Sequence, residues 1–302
     1  MTARPGLPSF EYVRPETFHE AAHLLADSNG AARLMMGGTD LLVRIRDGVL
    51  CPHTLIDVKS LPGMRDFVYH PDQGLGVGAA VTMNQLARHP TVLTHYPLLA
   101  EAAYSVASYQ LRNRATVGGN LCNASPCADL APATLVLEGR LVLIGLSLER
   151  TVPAASFFLG PGRSAIQADE IMIALEVPVP PAGSVGRYLK LGRNRVGDLA
   201  LVSVAVLGYP DAAAPSGFGF RIALGSVAPV PLRVPEAEAV MAQNMDGDAS
   251  LRLAAQKAVE AASPIDDVRA SAAYRSAMVH NLTLRGLREV WQSLNAGQGG
   301  AA

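Results

Sequence analysis

RLMMGGTDLLVRIRDG, residues 33–48, decides how this chain is read. An apolar run ends at Gly37-Gly38 and is followed at once by Thr39 and Asp40. A second segment, RNRATVGGNLCNASPCADLAPA at 112–133, repeats the pattern, with the short ATV ahead of Gly118-Gly119-Asn120. Glycine lacks a Cβ and tolerates positive φ, so both places predict strand-to-loop turns whose backbone approaches a ligand closely. Successive free N–H groups at such turns form a concave donor site for phosphate oxygens. Thr39 and Thr116 add hydroxyl donors, so the two turns could hold one pyrophosphate without a lysine. Neither is a known nucleotide fingerprint: no G-x-G-x-x-G opens a helix and no G-x-x-x-x-G-K-S/T occurs.

Working outward, ARLMM (32–36), TLIDV (54–58) and GLGVGAAV (74–81) predict strands, whereas TFHEAAHLLAD (17–27) and YPLLAEAAYSVAS (96–108) have helical periodicity. Thr17 with Glu20 has the spacing of a capping box. Beyond residue 140 the pattern turns to strands at 140–146, 170–180, 186–193, 199–209 and 219–228. Two helices are expected at 236–262 and 270–294, with the turn signal SPIDD between them. The proline-rich PVPPAG (178–183) is the linker candidate, because proline cannot feed a sheet ladder. The organisation is α+β with a break near 180, and the tail AGQGGAA is expected to be disordered.

The formal net charge of −1, from 25 basic and 26 acidic residues, excludes a basic nucleic-acid binder and an acidic solvating tail. Charged residues make up 17%, below the roughly 25% usual for soluble domains, so part of the surface is expected to lie under a partner. The longest stretch free of charge, Gln73 to Ala87, is fifteen residues with several glycines, and a spanning helix needs about 20 apolar ones. MTARPGLPSF has no apolar core of a secretory signal, and three cysteines fit a reducing compartment, so a cytoplasmic location is expected.

Asp129 stands between Pro126 and Pro132, after an uncharged run from Ala115 to Ala128. It is either a turn residue serving its own backbone or an acceptor for ligand hydroxyls. Three cysteines cannot hold an iron–sulfur cluster that needs four thiolates, and the histidines show no zinc spacing. His19 and His23 read as surface residues of one helix, and Ser125 and Ser203 have no histidine near them in sequence. Arg112 and Arg114, flanking the second glycine pair, read as solvated, pyrophosphate-facing or partner-facing. Trp291 reads as a core or interface anchor.

FEYVRP (10–15), MGGTDLL (36–42), the 112–133 segment, LSLERTVPAASFFLGPG (146–162), DEIMIALEVP (169–178) and YLKLGRNRVGDLALVSVAV (188–206) follow one another in this order. Together they resemble the FAD-binding, medium subunit of the molybdenum hydroxylases, the xanthine dehydrogenase and aerobic carbon monoxide dehydrogenase family, over essentially the whole chain. The resemblance implies an FAD-binding fold of the vanillyl-alcohol-oxidase-like type, made of two α/β subdomains. These would be residues 1–60 and 61–180, approximately, followed by a C-terminal α+β domain of the carbon monoxide dehydrogenase flavoprotein type at 184–294 and a flexible tail at 295–302.

It also implies the cofactor contacts. Leu34, Met35, Met36, Gly37, Gly38, Thr39, Asp40 and Leu41 fall on the first pyrophosphate loop, and Thr116, Gly118, Gly119 and Asn120 on the second. Asn123 and Asp129 match positions at the ribityl and phosphate region, and Met172 and Lys190 match positions near the flavin ring and adenine side. Family members often carry a tyrosine after the Gly-Asp of RVGDLA, where this chain has Leu199. The implied role is electron transfer with no catalytic residue on this chain. A large partner would hold molybdenum–pterin, a small partner two [2Fe–2S] clusters, and NAD, a quinone or oxygen would accept the electrons. A stand-alone FAD oxidase and a scaffold with a decayed flavin site are the competing readings.

Overall fold

The computed structural model describes residues 6–194, 196–243 and 247–298. Near the N-terminus β1 (Glu11–Val13), β2 (Ala32–Met35) and β3 (Thr54–Asp57) form a parallel sheet in the order β1-β3-β2. The helix Phe18–Asp27 crosses from β1 to β2, and Thr17 caps it by accepting from the Glu20 amide. The reciprocal half of the expected box is shifted by one residue: the Glu20 carboxylate accepts from the Glu16 amide at 2.8 Å.

A second sheet follows. It takes β4 (Phe67–His70), β5 (Gly74–Gly78), β6 (Arg140–Ile144) and β7 (Glu149–Pro153). The short pair β8 (Phe158–Gly160) and β9 (Arg163–Ser164) stands apart from it, and β10 (Ile171–Val177) completes it. The order is β4-β5-β10-β6-β7, antiparallel throughout. Helices between β5 and β6 carry the second glycine segment. Here one expectation fails: ATV is not a strand. Val117–Cys122 is a short helix with Thr116 as its N-cap, and only Thr116 keeps a strand-like bridge, to Thr82. The Thr116 hydroxyl accepts from the Gly119 amide at 3.1 Å, and that cap outweighs the β-branched pair.

The segment 178–183 runs between β10 and β11 (Val185–Leu191), which pairs into an antiparallel sheet with β12 (Val202–Pro210), β13 (Phe218–Gly225) and β14 (Leu232–Arg233). This sheet is buried on both faces. Ala205, Leu207 and Ala223 join the core that packs the helices Pro97–Ser105 and Leu130–Val136, whereas Val202, Val204, Val206 and Ile222 face Ala254, Ala258 and Leu287 of the C-terminal helices. Two buried faces explain why LALVSVAVLGY is almost continuously apolar instead of alternating. Two sequence expectations need correction. The helix expected at 236–262 is described as two helices, Pro235–Gln243 and Gly247–Ala261, and 244–246 lie outside the described residues. The last helix, Ala272–Gln298, continues past 294 into the tail expected to be flexible, whose final residues 299–302 lie outside the described residues. Trp291 sits edge-on to Phe218 in the second core, at 5.2 Å between ring centroids. No described helix is long and apolar enough to cross a membrane.

Arg275, 1% exposed, ties this half together. Its guanidinium donates to the Leu201 carbonyl at 2.9 Å, the Ser226 carbonyl at 3.3 Å and Asp267 at 2.7 Å. Arg275→Met keeps most of the volume but strands those acceptors, so it should cost about 2–4 kcal/mol in urea unfolding of the full chain. A loss below about 0.5 kcal/mol, the level of an ordinary surface change, would show that the network carries no stability.

Candidate functional site: a cleft between the glycine segments

A cleft of about 900 Å³ opens between the end of β2, the Val117–Cys122 helix, Met172 of β10 and the 197–199 segment. The chain reaches it because the β2–β3 ladder ends at Met35–Asp57 and the backbone then turns through Gly37-Gly38 into the helix Leu41–Arg46. Gly38 has φ +74°, the left-handed region that favours glycine. Gly37 is needed for a different reason: a Cβ there would run into the Arg114 carbonyl. A Cβ on Gly118 would in turn lie 2.7 Å from Met36 Sδ and 2.9 Å from Ala79 Cβ. The first glycine of each pair therefore packs one segment against the other.

The two segments differ in what they offer a ligand. The amides of Gly37, Gly38, Thr39, Asp40 and Leu41 have no acceptor among the described residues. Those of the second segment are spent: Val117 donates to the Val81 carbonyl, Gly118 to Ala79, Gly119 to the Thr116 hydroxyl and Asn120 to the Thr116 carbonyl. The expectation of two equivalent backbone cradles is corrected accordingly. The second segment contributes side chains. Asn120 Oδ1 accepts from the Leu130 amide at 3.2 Å, which leaves its Nδ2 as a donor. Asn123 Nδ2 donates to Asp40 Oδ2 at 3.3 Å, joining the two segments.

Of the sixteen residues expected at the site, fourteen line the cleft: Leu34, Met36 to Leu41, Thr116, Gly118, Gly119, Asn120, Asn123, Asp129 and Met172. Met35 and Lys190 do not. Met35 alternates to the other face of β2 and packs with Ile45 and Leu55. The Lys190 ammonium is turned inward, donating to Asp129 Oδ2 at 2.9 Å and to the Ser105 carbonyl at 3.0 Å. The Tyr188 hydroxyl donates to the other Asp129 oxygen at 2.9 Å. The turn reading of Asp129 fails, since its side chain caps nothing of its own helix; the carboxylate stands in the cleft lining and ties β11 to that wall. Arg112 likewise is neither solvated nor facing the cleft. It is buried, donating to Asn84 Oδ1 and to the carbonyls of Val106 and Ala107.

Sequence reasoning missed Arg44, Gln167 and Glu170, which also line the cleft. Arg44 and Glu170 sit inside quoted motifs, at positions that no local chemistry singled out, and Gln167 lies in a stretch without a motif; only the fold brings the three to one cleft. Leu199, 56% exposed, stands in the wall. Burial pushes the Cys122 thiol up to about 12, so it stays protonated beside Met172 Sδ at 3.4 Å. The Arg150 guanidinium holds the Glu170 carboxyl below its usual value. His19 and His23 share a 3.3 Å contact on an exposed helix, and no group of three metal-capable side chains occurs among the described residues. The cleft fits FAD in kind: a run of unpaired amides for a diphosphate, and apolar Met36, Met172 and Leu199 for a flat ring.

Lys190→Met should cost about 3–5 kcal/mol near neutral pH, because it leaves the Asp129 carboxylate buried without its cation. Burial already pushes Asp129 above its ordinary value, so the folded state holds that proton more tightly than the unfolded chain does. The penalty is therefore present above the folded-state pKa and is relieved as pH falls through it. Thermal unfolding of variant and parent from neutral to acidic pH should show the gap narrowing, and a gap independent of pH would remove Asp129 as its cause.

Comparison with known proteins agrees with this geometry. Residues 8–180 match the family model described as FAD binding domain in molybdopterin dehydrogenase, and 187–290 match the CO dehydrogenase flavoprotein C-terminal domain. The chain is 33% identical over 284 residues to the carbon monoxide dehydrogenase medium chain of Hydrogenophaga pseudoflava, covering 94% of this chain and 98% of that one. It is 32% identical to the putative xanthine dehydrogenase FAD-binding subunit of Escherichia coli, covering 92% and 94% respectively. A solved structure of the Hydrogenophaga carbon monoxide dehydrogenase superposes with a TM-score of 0.91 at 33% identity, over 96% of this chain and 99% of that one. With the cleft, its amide run and both family models in register, the chain belongs to the FAD-binding subunits of the molybdenum hydroxylases, the family of the carbon monoxide and xanthine dehydrogenases.

Proposed function

We propose that this subunit carries FAD as an electron-transfer station, taking electrons from the [2Fe–2S] clusters of a small partner and passing them to NAD, a quinone or oxygen. A large partner would oxidise the substrate at molybdenum–pterin, and the complex would be cytoplasmic. Residues 1–180 would hold the cofactor, the first subdomain ending near 60, and 184–294 would close over it. The observation that carries the reading is the run of five amides from Gly37 to Leu41 without an internal acceptor, at the wall of a cleft of cofactor size.

When bound, FAD supplies the redox chemistry at its isoalloxazine ring. The chain's own residues bind and orient it. The Gly37–Leu41 amides face the diphosphate; Asn120 Nδ2 adds a donor; the Asp40–Asn123 bond keeps the two segments in register. Met172, 1% exposed, keeps water from the inner wall, whereas the exposed Leu199 leaves the outer wall open to an acceptor or a partner. Each carboxylate of the wall has a partner: Asp129 has Lys190 and Tyr188, Glu170 has Arg150, Asp198 has Arg193, and Asp40 accepts from the Asn123 amide group. A wall without a disengaged base favours electron transfer over the stand-alone oxidase, which needs one to activate its substrate.

Absorbance of the purified chain, before and after FAD loading and gel filtration, tests this reading. Retained flavin that bleaches on reduction, without turnover of small substrates by the chain alone, is expected. A folded chain that takes up no flavin would leave a scaffold, and turnover without partners would leave an oxidase. A Cβ on Gly119 meets only Thr116 Oγ, at 2.9 Å, so a valine there projects into the cleft or displaces the cap. Gly119→Val should lower FAD retention at least about tenfold, the equivalent of one lost charge-assisted hydrogen bond, with circular dichroism unchanged. Full flavin occupancy in that variant would remove the assignment.

A further inference from the structure

A second pocket, about 330 Å³, shares Thr116 with the cleft and is otherwise lined by a separate set: Lys59, Arg65, Thr82, Gln85, Asn113 and Arg114, with Ala80 at its base. Its chemistry is unlike that of the cleft. Asp40, Asp129, Glu170 and Asp198 stand in the cleft wall, whereas no carboxylate lines the second pocket.

Of its three cations only Lys59 is paired from behind among the described residues. Lys59 Nζ donates to Asp57 at 2.6 Å, but that one carboxylate also receives the Tyr12 hydroxyl and, at 3.5 Å, the Arg14 guanidinium. Arg65 Nε donates to the Lys59 carbonyl at 3.2 Å, and its terminal nitrogens have no acceptor among the described residues. The Arg114 side chain makes neither a hydrogen bond nor an ion pair among the described residues; its backbone carbonyl is the one on which Gly37 packs.

The uncharged groups point the same way, because their amide orientations are forced. Arg112 Nε, which can only donate, reaches Asn84 Oδ1 at 3.1 Å. Asn84 Nδ2 must then be the donor to Asn113 Oδ1 at 2.7 Å and to the Tyr109 carbonyl at 2.9 Å. With its oxygen taken, Asn113 is left with Nδ2 alone. Gln85 Oε1 is likewise taken, by the Thr82 amide and the Thr82 hydroxyl, both at 2.9 Å, so Gln85 is left with Nε2. The Thr116 hydroxyl already accepts from the Gly119 amide, so what it has left to give is its proton. Three cations and three neutral donors surround a space whose side chains keep no acceptor disengaged.

We infer that this pocket is a second anion site, separate from the FAD diphosphate, built for the phosphate group of a small phosphorylated molecule. A ligand there has to bring both the acceptors and the negative charge. Arginine guanidinium groups pair with phosphate in a planar, two-bond fork, which a chloride ion or a water cannot match. The volume falls at the lower end of small-ligand pockets, so it admits a phosphate ester and not only the bare ion.

The test uses the full chain loaded with FAD, so that the Gly37–Leu41 amides are already filled. Its thermal unfolding is followed with inorganic phosphate and pyrophosphate against chloride at equal ionic strength. Both oxyanions should raise Tm saturably over chloride, and the double variant R65Q/R114Q should weaken that apparent affinity at least about tenfold while keeping the parent's FAD content and its Tm in chloride. No rise beyond chloride, or an equal rise in the double variant, overturns the site. A rise confined to the flavin-free chain also overturns it, since the anion is then in the FAD segment. Should the chain take up no FAD at all, the proposed function fails, and the same comparison in the flavin-free chain still decides: weaker binding in the variant supports the pocket, equal binding removes it.

Discussion

Two backbones in contact govern this molecule. Gly37 lies against the Arg114 carbonyl, and Gly118 lies against Met36 and Ala79, so each glycine segment occupies space that any side chain on the other would need. That contact joins the end of a parallel sheet to a helix cap some eighty residues further on, and the cleft is what remains between them. It also divides the labour. The second segment spends its amides on Ala79, Val81 and its own cap to hold position, and the first leaves its amides unspent. A symmetric pair of turns would have either no fixed spacing or no donors to offer.

Behind the cleft a buried polar network links the two halves of the chain. Asp129, 5% exposed, receives Tyr188 and Lys190 from β11, and the Tyr188 amide donates to Glu101 of the helix Pro97–Ser105 at 2.8 Å. Burial opposes the charge on Asp129, and the Lys190 ammonium and Tyr188 hydroxyl oppose that penalty. Such a network favours one docking of the C-terminal sheet over its neighbours, because a shifted sheet would strand a buried carboxylate.

The architecture was legible where a pattern is local. The strands at 32–36, 54–58 and 140–146, and the helix capped by Thr17, announce themselves by periodicity and turn chemistry. The proline-rich 178–183, which carries neither strand nor helix, and the two glycine pairs, which mark close backbone approach at the cleft, are likewise local signals. What escaped is set by distant partners. ATV has strand propensity, yet Thr116 caps a helix, because Val81 and Ala79 supply acceptors that no window of sequence contains. Met35 was assigned by position in a motif, and a strand sends alternate side chains to opposite faces; Lys190 was assigned in the same way, and its ammonium is spent on Asp129 and the Ser105 carbonyl. Arg112 looked like a loop arginine because its acceptors, Asn84 and the carbonyls of Val106 and Ala107, converge only in three dimensions. Within 236–262 the Asp246-Gly247 dipeptide is a turn signal that the longer helical periodicity around it obscures.

The doubly buried sheet has a consequence for how the chain is made. The helices Pro97–Ser105 and Leu130–Val136 leave the ribosome well before β11, β12 and β13, whose Tyr188, Ala205, Leu207 and Ala223 cover them. For the time it takes to synthesise that interval, the nascent N-terminal half presents an uncovered apolar surface. Domains usually fold as units in order of emergence, but here the first unit waits for the second to finish its core. Nascent-chain chaperones have their window there, and a fragment stopped at the proline-rich segment would keep that sticky face for good.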